Sequence, residues 1–113
     1  MSNDKDPAYI SHILDAIEKI ETYIDGVDFE SFVKNSMMFD AVIRELAVIG
    51  EATNQLSNDF CEKHKDIPVA KIVGMRNFLI HEYLGVEAKT VWDTCKERLP
   101  ELKNQLLAAK EVR

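Results

Sequence analysis

MMFDAVIRELAVIGEATNQL, residues 37–56, reads as one long helix and decides the fold class. Met38, Val42, Leu46 and Ile49 recur at steps of three and four, which stacks them on one helical face. Phe39, Ile43, Ala47 and Gly50 form a second stripe beside the first. An apolar arc this wide exceeds what one partner helix covers. Two arrangements satisfy it: the segment is the central helix of a bundle, or part of it faces a second subunit. Gly50 costs about 1 kcal/mol relative to alanine in a helix interior. Its presence predicts close approach of another backbone.

Working outward toward the N-terminus, Asn35-Ser36 offers a cap for this helix, and Asp28 can cap a short one over Phe29 to Lys34. Asp6-Pro7 reads as a helix start, with an N-cap acid and then proline at the first helical position. Ile10, Ile13, Leu14, Ile17, Ile20 and Ile24 follow at helical spacing, and Gly26 ends the run. His12 is off that stripe and reads as a surface residue. Toward the C-terminus, Ser57 to Ile67 is polar and predicts a loop with a turn of helix. Pro68 starts a brief piece, Val69 to Val73, that Gly74 closes. A second short helix runs from Met75 to about Tyr83, and Leu84-Gly85-Val86 breaks it. The last pattern, from about Ala88, carries Val91, Trp92, Cys95 and Leu99 on one face. Pro100 should break or kink it at Leu99, and Leu102, Leu106 and Leu107 continue the apolar face. No strand-like alternation occurs. The expectation is all-α: four main helices plus short helical pieces in one domain, residues 1–113.

The chain is 46% hydrophobic, enough for a core, and its apolar runs are too short to cross a bilayer. MSNDKDPAY at the start is polar and acidic, which predicts no signal peptide and a cytoplasmic protein. Cys61 and Cys95 form no CxxC and should both be reduced. Cys61 and His64 make a Cys-x-x-His half-site with no second pair, so no metal site is expected, and no organic cofactor either. The net charge of −6 does not suggest a nucleic-acid binder. Its distribution is more informative. Residues 1–60 carry 4 basic and 12 acidic groups, a balance of −8; residues 61–81 carry 4 and 2, a balance of +2; residues 82–113 carry 6 and 6. The net-positive window leads into GMRNFLIHEY, residues 74–83. It is compatible with a phosphate ligand, and equally with a solvated loop.

Within that stretch Arg76, Asn77, His81 and Tyr83 bracket the triplet Phe78-Leu79-Ile80, which should be buried to dock the helix. Asn77 and His81 are four apart and share a face; Arg76 and Tyr83 are seven apart and return to a common side. One short helix could gather a fixed cation, an amide, an imidazole and a phenol. By spacing alone, a core helix with capping polar residues fits as well.

Arg76, four residues, His81, one residue, Tyr83 resembles the Arg-x4-His-x-Tyr signature of HEPN-superfamily ribonucleases, and GMRNFLIHEYLGV resembles the HepT-like toxins within it. HILDAIEKIETYIDG, AVIRELAVIGEAT and VWDTCKERLPELK resemble the same family in the same order, so the likeness covers nearly the whole chain. The resemblance implies a HEPN-like up-down bundle and a metal-independent ribonuclease, an RNA endonuclease or an RNA-end processing enzyme. It implies Arg76 and His81 as catalytic residues, with Asn77 and Tyr83 in support. It also implies a homodimer with a composite cleft, acting on RNA, with tRNA and mRNA both open. It further implies a type VII-like toxin–antitoxin pair, in which an MntA-like nucleotidyltransferase adds AMP to Tyr83. Cleavage of RNA by its own 2′-hydroxyl needs a base, an acid and a cation near the phosphorane. Histidine titrates near neutrality and arginine fits phosphate with two donors. One histidine does not easily act as base and acid together, which favours two facing copies. Their interface is expected on the wide arc of residues 37–56 and the leucine-rich C-terminal helix. Asn77 could orient His81 or hold a phosphate oxygen. Arg44 and Glu51 could stand behind the cleft, although surface salt-bridging is their plainer role, and Glu82 should be solvated. The alternative is a non-catalytic nucleotide- or RNA-binding module that assists a nucleotidyltransferase; a plain dimeric scaffold is a third reading.

Overall fold

The computed structural model describes residues 5–82 and 85–111. They form α1 (Asp6–Ile24), α2 (Phe29–Lys34), α3 (Ser36–Asn54), α4 (Asn58–Lys63), α5 (Val69–His81), α6 (Ala88–Asp93), a π-helical turn (Thr94–Arg98) and α7 (Leu99–Glu111). No strand occurs among the described residues. The expected all-α bundle is present: α1, α3, α5 and the composite α6–α7 are its four main helices. No described helix is long and apolar enough to cross a membrane.

α3 is the central helix. It packs on α1 along one side and on α5 along the other, and α2 crosses its start. Val42, Ile43, Leu46, Ile49, Gly50, Ala52 and Thr53 are all buried in this way. The wide arc is therefore consumed inside the chain, and the expectation that it supplies a subunit interface is replaced by the bundle-centre arrangement. The C-terminal leucines go the same way, with Leu102 and Leu106 buried and only Leu107 exposed. Two local signals read from sequence operate as expected. Asn35 caps α3 by accepting from the Met38 amide at 3.0 Å, and Asp28 caps α2 by accepting from the Ser31 amide at 2.8 Å. Hydrogen bonds from the Ser31 backbone and side chain hold the Asp28 carboxyl below its usual range. Gly26, with φ of 70°, closes α1.

Asp6 does something else. It is the first residue of α1 rather than its cap, and Lys5 is the N-cap. Its buried carboxylate accepts from the Ser57 amide at 2.9 Å and the Ser57 hydroxyl at 2.6 Å. With its proton committed to Asp6, the Ser57 oxygen accepts from the Phe60 amide at 3.1 Å and caps α4. One carboxylate thus fastens the start of α1 to the start of α4, a charge-assisted link across 51 residues of sequence. At the other end, Phe32 lies fully buried with its ring 5.1 Å from Trp92 and 5.7 Å from Phe39, which ties α2 to α3 and α6.

Pro100 neither breaks nor stops the last helix. A helical proline lacks the N–H for its own bond, and its ring crowds the carbonyl four residues back. Here the ladder widens just before it: the Leu99 amide reaches back to the Thr94 carbonyl, five residues away. The π-turn absorbs the defect and the chain continues as α7. Cys95 is buried within this turn, and burial pushes its thiol up to about 12, so it is inert as a nucleophile at neutral pH. Cys61 is also a free thiol.

A candidate phosphate-binding site on α5

α5 is a single helix that begins after Pro68 and runs through Gly74 to His81. The expected break at Gly74 is absent, because a glycine in αR conformation can continue a helix at a propensity cost alone. The apolar triplet is also not buried as a unit. Leu79 is buried, but Phe78 is 47% and Ile80 54% exposed. Three consecutive helical residues span about 200° around the axis, so one contact face holds only the middle one.

Arg76 lies where α5 crosses α3. A Cβ built on Gly50 would stand 2.1 Å from Arg76 Cβ, 2.7 Å from Arg76 Cγ and 3.3 Å from the Ile72 carbonyl oxygen. Gly50 therefore allows the close approach that its place in the sequence predicts, and the Arg76 stem fills the space a side chain would take. The Arg76 side chain is left only 23% exposed. Its Nη2 donates to the Glu51 carboxylate and its Nη1 to the Asn77 side-chain oxygen. Its Nε is buried and makes no hydrogen bond. The Arg76 hydrogen bond and charge, with a smaller bond from Gln55, hold the Glu51 carboxyl below the usual carboxylate range.

The structure thus brings Arg76, Asn77 and Glu51 together. Asn77 steadies the guanidinium, a role different from orienting His81. His81 is the last residue of α5 and is exposed. Five residues of helix place it about 140° around the axis from Arg76 and roughly 7.5 Å along it. Glu82 follows as the C-cap and is exposed, as expected. Tyr83, the expected modification site, lies outside the described residues. Arg44 is not part of this group. It is 80% exposed, 3.9 Å from the buried Glu45, and lines a separate depression with His12, Asp15, Lys19 and Val48 between α1 and α3. The pairing of Glu51 with Arg76 was hidden in the sequence because its members lie 25 residues apart. The sequence offered Glu51 only as a group that could stand behind the cleft, next to Gly50, the residue that marks the crossing. No group of three or more His, Cys, Asp or Glu side chains suited to a metal ion occurs among the described residues.

The helical bundle thus carries a largely buried guanidinium and a solvent-facing imidazole on one helix, α5. The family model described as ribonuclease HepT-like matches residues 13–109, and this chain belongs to the HepT-like family of the HEPN superfamily. It is 42% identical over 98 residues to a protein of Caldanaerobacter subterraneus subsp. tengcongensis named as a candidate RNase, covering 87% of this chain and 88% of that one. It is 36% identical over 106 residues to another so named in Methanocaldococcus jannaschii, covering 94% and 97%. It is 41% identical over 97 residues to a protein named "Probable ribonuclease HepT" in Thermococcus cleftensis, covering 86% and 88%. No solved structure matches the chain.

Proposed function

We propose that this chain is a metal-independent ribonuclease that acts as a homodimer and forms the toxin half of a type VII-like toxin–antitoxin pair. The observation that carries the reading is the Arg76 guanidinium fixed at the α3–α5 crossing with His81 exposed on the same helix, in a chain similar throughout to proteins named as ribonucleases. Arg76 binds the scissile phosphate and stabilises charge on its equatorial oxygens. His81 takes the 2′-hydroxyl proton as that oxygen attacks phosphorus. The protonated His81 of a second copy donates to the departing 5′-oxygen, leaving a 2′,3′-cyclic phosphate and a free 5′-hydroxyl.

Two features favour a second copy. Arg76 and His81 diverge around α5, so a site using both is more easily completed across a two-fold axis. Phe78, half exposed three residues before His81, supplies apolar surface on the same side of the helix. AMP added to Tyr83 by an MntA-like nucleotidyltransferase would add a negative phosphodiester and a purine two residues past His81 in the sequence, and that charge would repel RNA.

The test is cleavage of RNA by the purified chain, beside His81→Ala and Arg76→Ala with circular dichroism as the fold control. Each variant should lose roughly 10²–10³-fold in rate with its helix content intact. Full activity in folded His81→Ala removes it from the mechanism. In the same experiment, co-expression with an MntA-like nucleotidyltransferase should add AMP-sized mass to the wild type and none to Tyr83→Phe.

A further inference from the structure

We propose that Glu51 is a latch on Arg76: a built-in counter-ion that occupies the phosphate-binding edge of the guanidinium and must be displaced by an RNA phosphate. The inference rests on the functional reading above and names how that site discriminates among anions.

An arginine presents two donors, Nε–H and one Nη–H, along one edge, and a phosphate or carboxylate with two oxygens matches that edge. In this chain the Glu51 carboxylate takes Nη2, whereas Nε is buried without an acceptor. A buried donor left unpaired is costly and rare in a finished structure. A phosphate with two oxygens on this edge would satisfy both donors; Glu51 satisfies one. The other end of the guanidinium is held by Asn77, on the same helix, so Arg76 keeps its direction when Glu51 leaves. Glu51 is free to leave. Its side chain is 54% exposed, against 23% for Arg76, so the carboxylate swings into water while the guanidinium stays seated on Gly50. A carboxylate is ionised at neutral pH, and the Arg76 bond and charge lower Glu51 further, so the latch is closed in the free protein.

Binding is then an exchange of one anion for another. A monoanion making a single contact gains little over Glu51. A backbone phosphate within a polyanionic strand, held also by the net-positive window of residues 61–81, displaces it. The latch thus screens Arg76 from small anions and favours a polymer. After displacement Glu51 remains nearby as a like charge, which weakens the complex and speeds its release.

The experiment measures the dissociation constant of a 2′-O-methyl RNA oligonucleotide, which binds but cannot be cut, together with kcat and KM on the matching unmodified RNA. Glu51→Gln and Glu51→Ala should tighten binding roughly threefold to thirtyfold and lower KM in parallel. Glu101→Gln, which removes one exposed charge from α7, should leave binding within about twofold. In an Arg76→Ala background the Glu51→Gln gain should vanish, because the charge it removes no longer guards a cation. Unchanged or weaker binding in both Glu51 variants overturns the latch, as does equal tightening in Glu101→Gln or in the Arg76→Ala background. The binding arm does not depend on catalysis, so a wild type that binds but never cuts RNA ends the ribonuclease reading and leaves the latch to stand or fall by its own affinities.

Discussion

Two glycines sit inside helices of this protein, and their surroundings are opposite. Gly50 of α3 is buried where α5 crosses, with Arg76 and the Ile72 carbonyl in the space a Cβ would need. Gly74 of α5 is exposed and has nothing within 4 Å of the same position. Each is expensive in a helix interior relative to alanine. At Gly50 the chain itself supplies the compensation, a close crossing that seats the arginine. At Gly74 no neighbour among the described residues does so. The two sides of α5 differ in the same way. The side toward α3 carries Ile72, Arg76 and buried Leu79, whereas Gly74, Phe78 and His81, at steps of four and three, share a side that is exposed among the described residues. The lesson is that α5 is complete on one face only. Its open face combines a missing side chain, an exposed aromatic ring and the imidazole, a combination suited to the second copy proposed above.

The largest expected effect comes from the open face. Phe78→Ser should remove about 1.5 kcal/mol of apolar burial from each of two symmetry-related sites, so dimer dissociation should rise more than 100-fold, roughly. Sedimentation at micromolar concentration checks this, with RNA cleavage falling alongside while helix content holds. A wild-type chain that is monomeric and still cuts RNA would show that the open face of α5 needs no second copy.

The closed face predicts a stability effect of smaller size. In an uncrowded helix Gly50→Ala would stabilise by about 1 kcal/mol. Here the new methyl meets the root of Arg76, which has no rotamer by which to withdraw, so α3 and α5 must separate. A net loss of roughly 1–3 kcal/mol in urea denaturation is expected. Cleavage should drop about tenfold or more as Arg76 shifts against its phosphate. A neutral or stabilising result would mean that the crossing is looser than described and that Gly50 does not seat the arginine.

What the sequence revealed and what it hid divide along the same line between local and long-range physics. The stripes of α1 and α3, the caps at Asp28 and Asn35 and the stop at Gly26 are written within a few residues of where they act. Each is borne out. Asp6 shows the limit. Next to Pro7 an N-cap acid and a long-range acceptor look identical, and the part-buried amide and hydroxyl of Ser57 decide between them. Pro100 signals a defect but not its repair, because a π-turn and a kink relieve the same clash. At the candidate site, Arg76, Asn77 and His81 stand out as a motif, yet their partner Glu51 comes from α3 and depends on how two helices cross. Gly74 and Gly50 look alike as letters. Only the packing tells a glycine that is filled by a neighbour from one that is open.

The open surroundings of Gly74 make its substitution a mild probe of this face of α5. Gly74→Ala adds a methyl to open space and removes backbone freedom from the unfolded chain. In a monomer the variant should therefore be more stable by about 0.5–1 kcal/mol. In a dimer whose second copy lies against this face, the same methyl has a neighbour, and the gain should shrink or reverse. The expected outcome is thus a change of sign with concentration. At nanomolar protein Gly74→Ala melts above the wild type; at tens of micromolar it melts at or below it, because the wild-type dimer gains stability by mass action and the variant gains less. Thermal denaturation across that range, with sedimentation run on the same samples, reads the effect directly. A constant stabilisation at every concentration, on samples shown to be dimeric, would place the interface away from Gly74 and detach the open face of α5 from the active cleft.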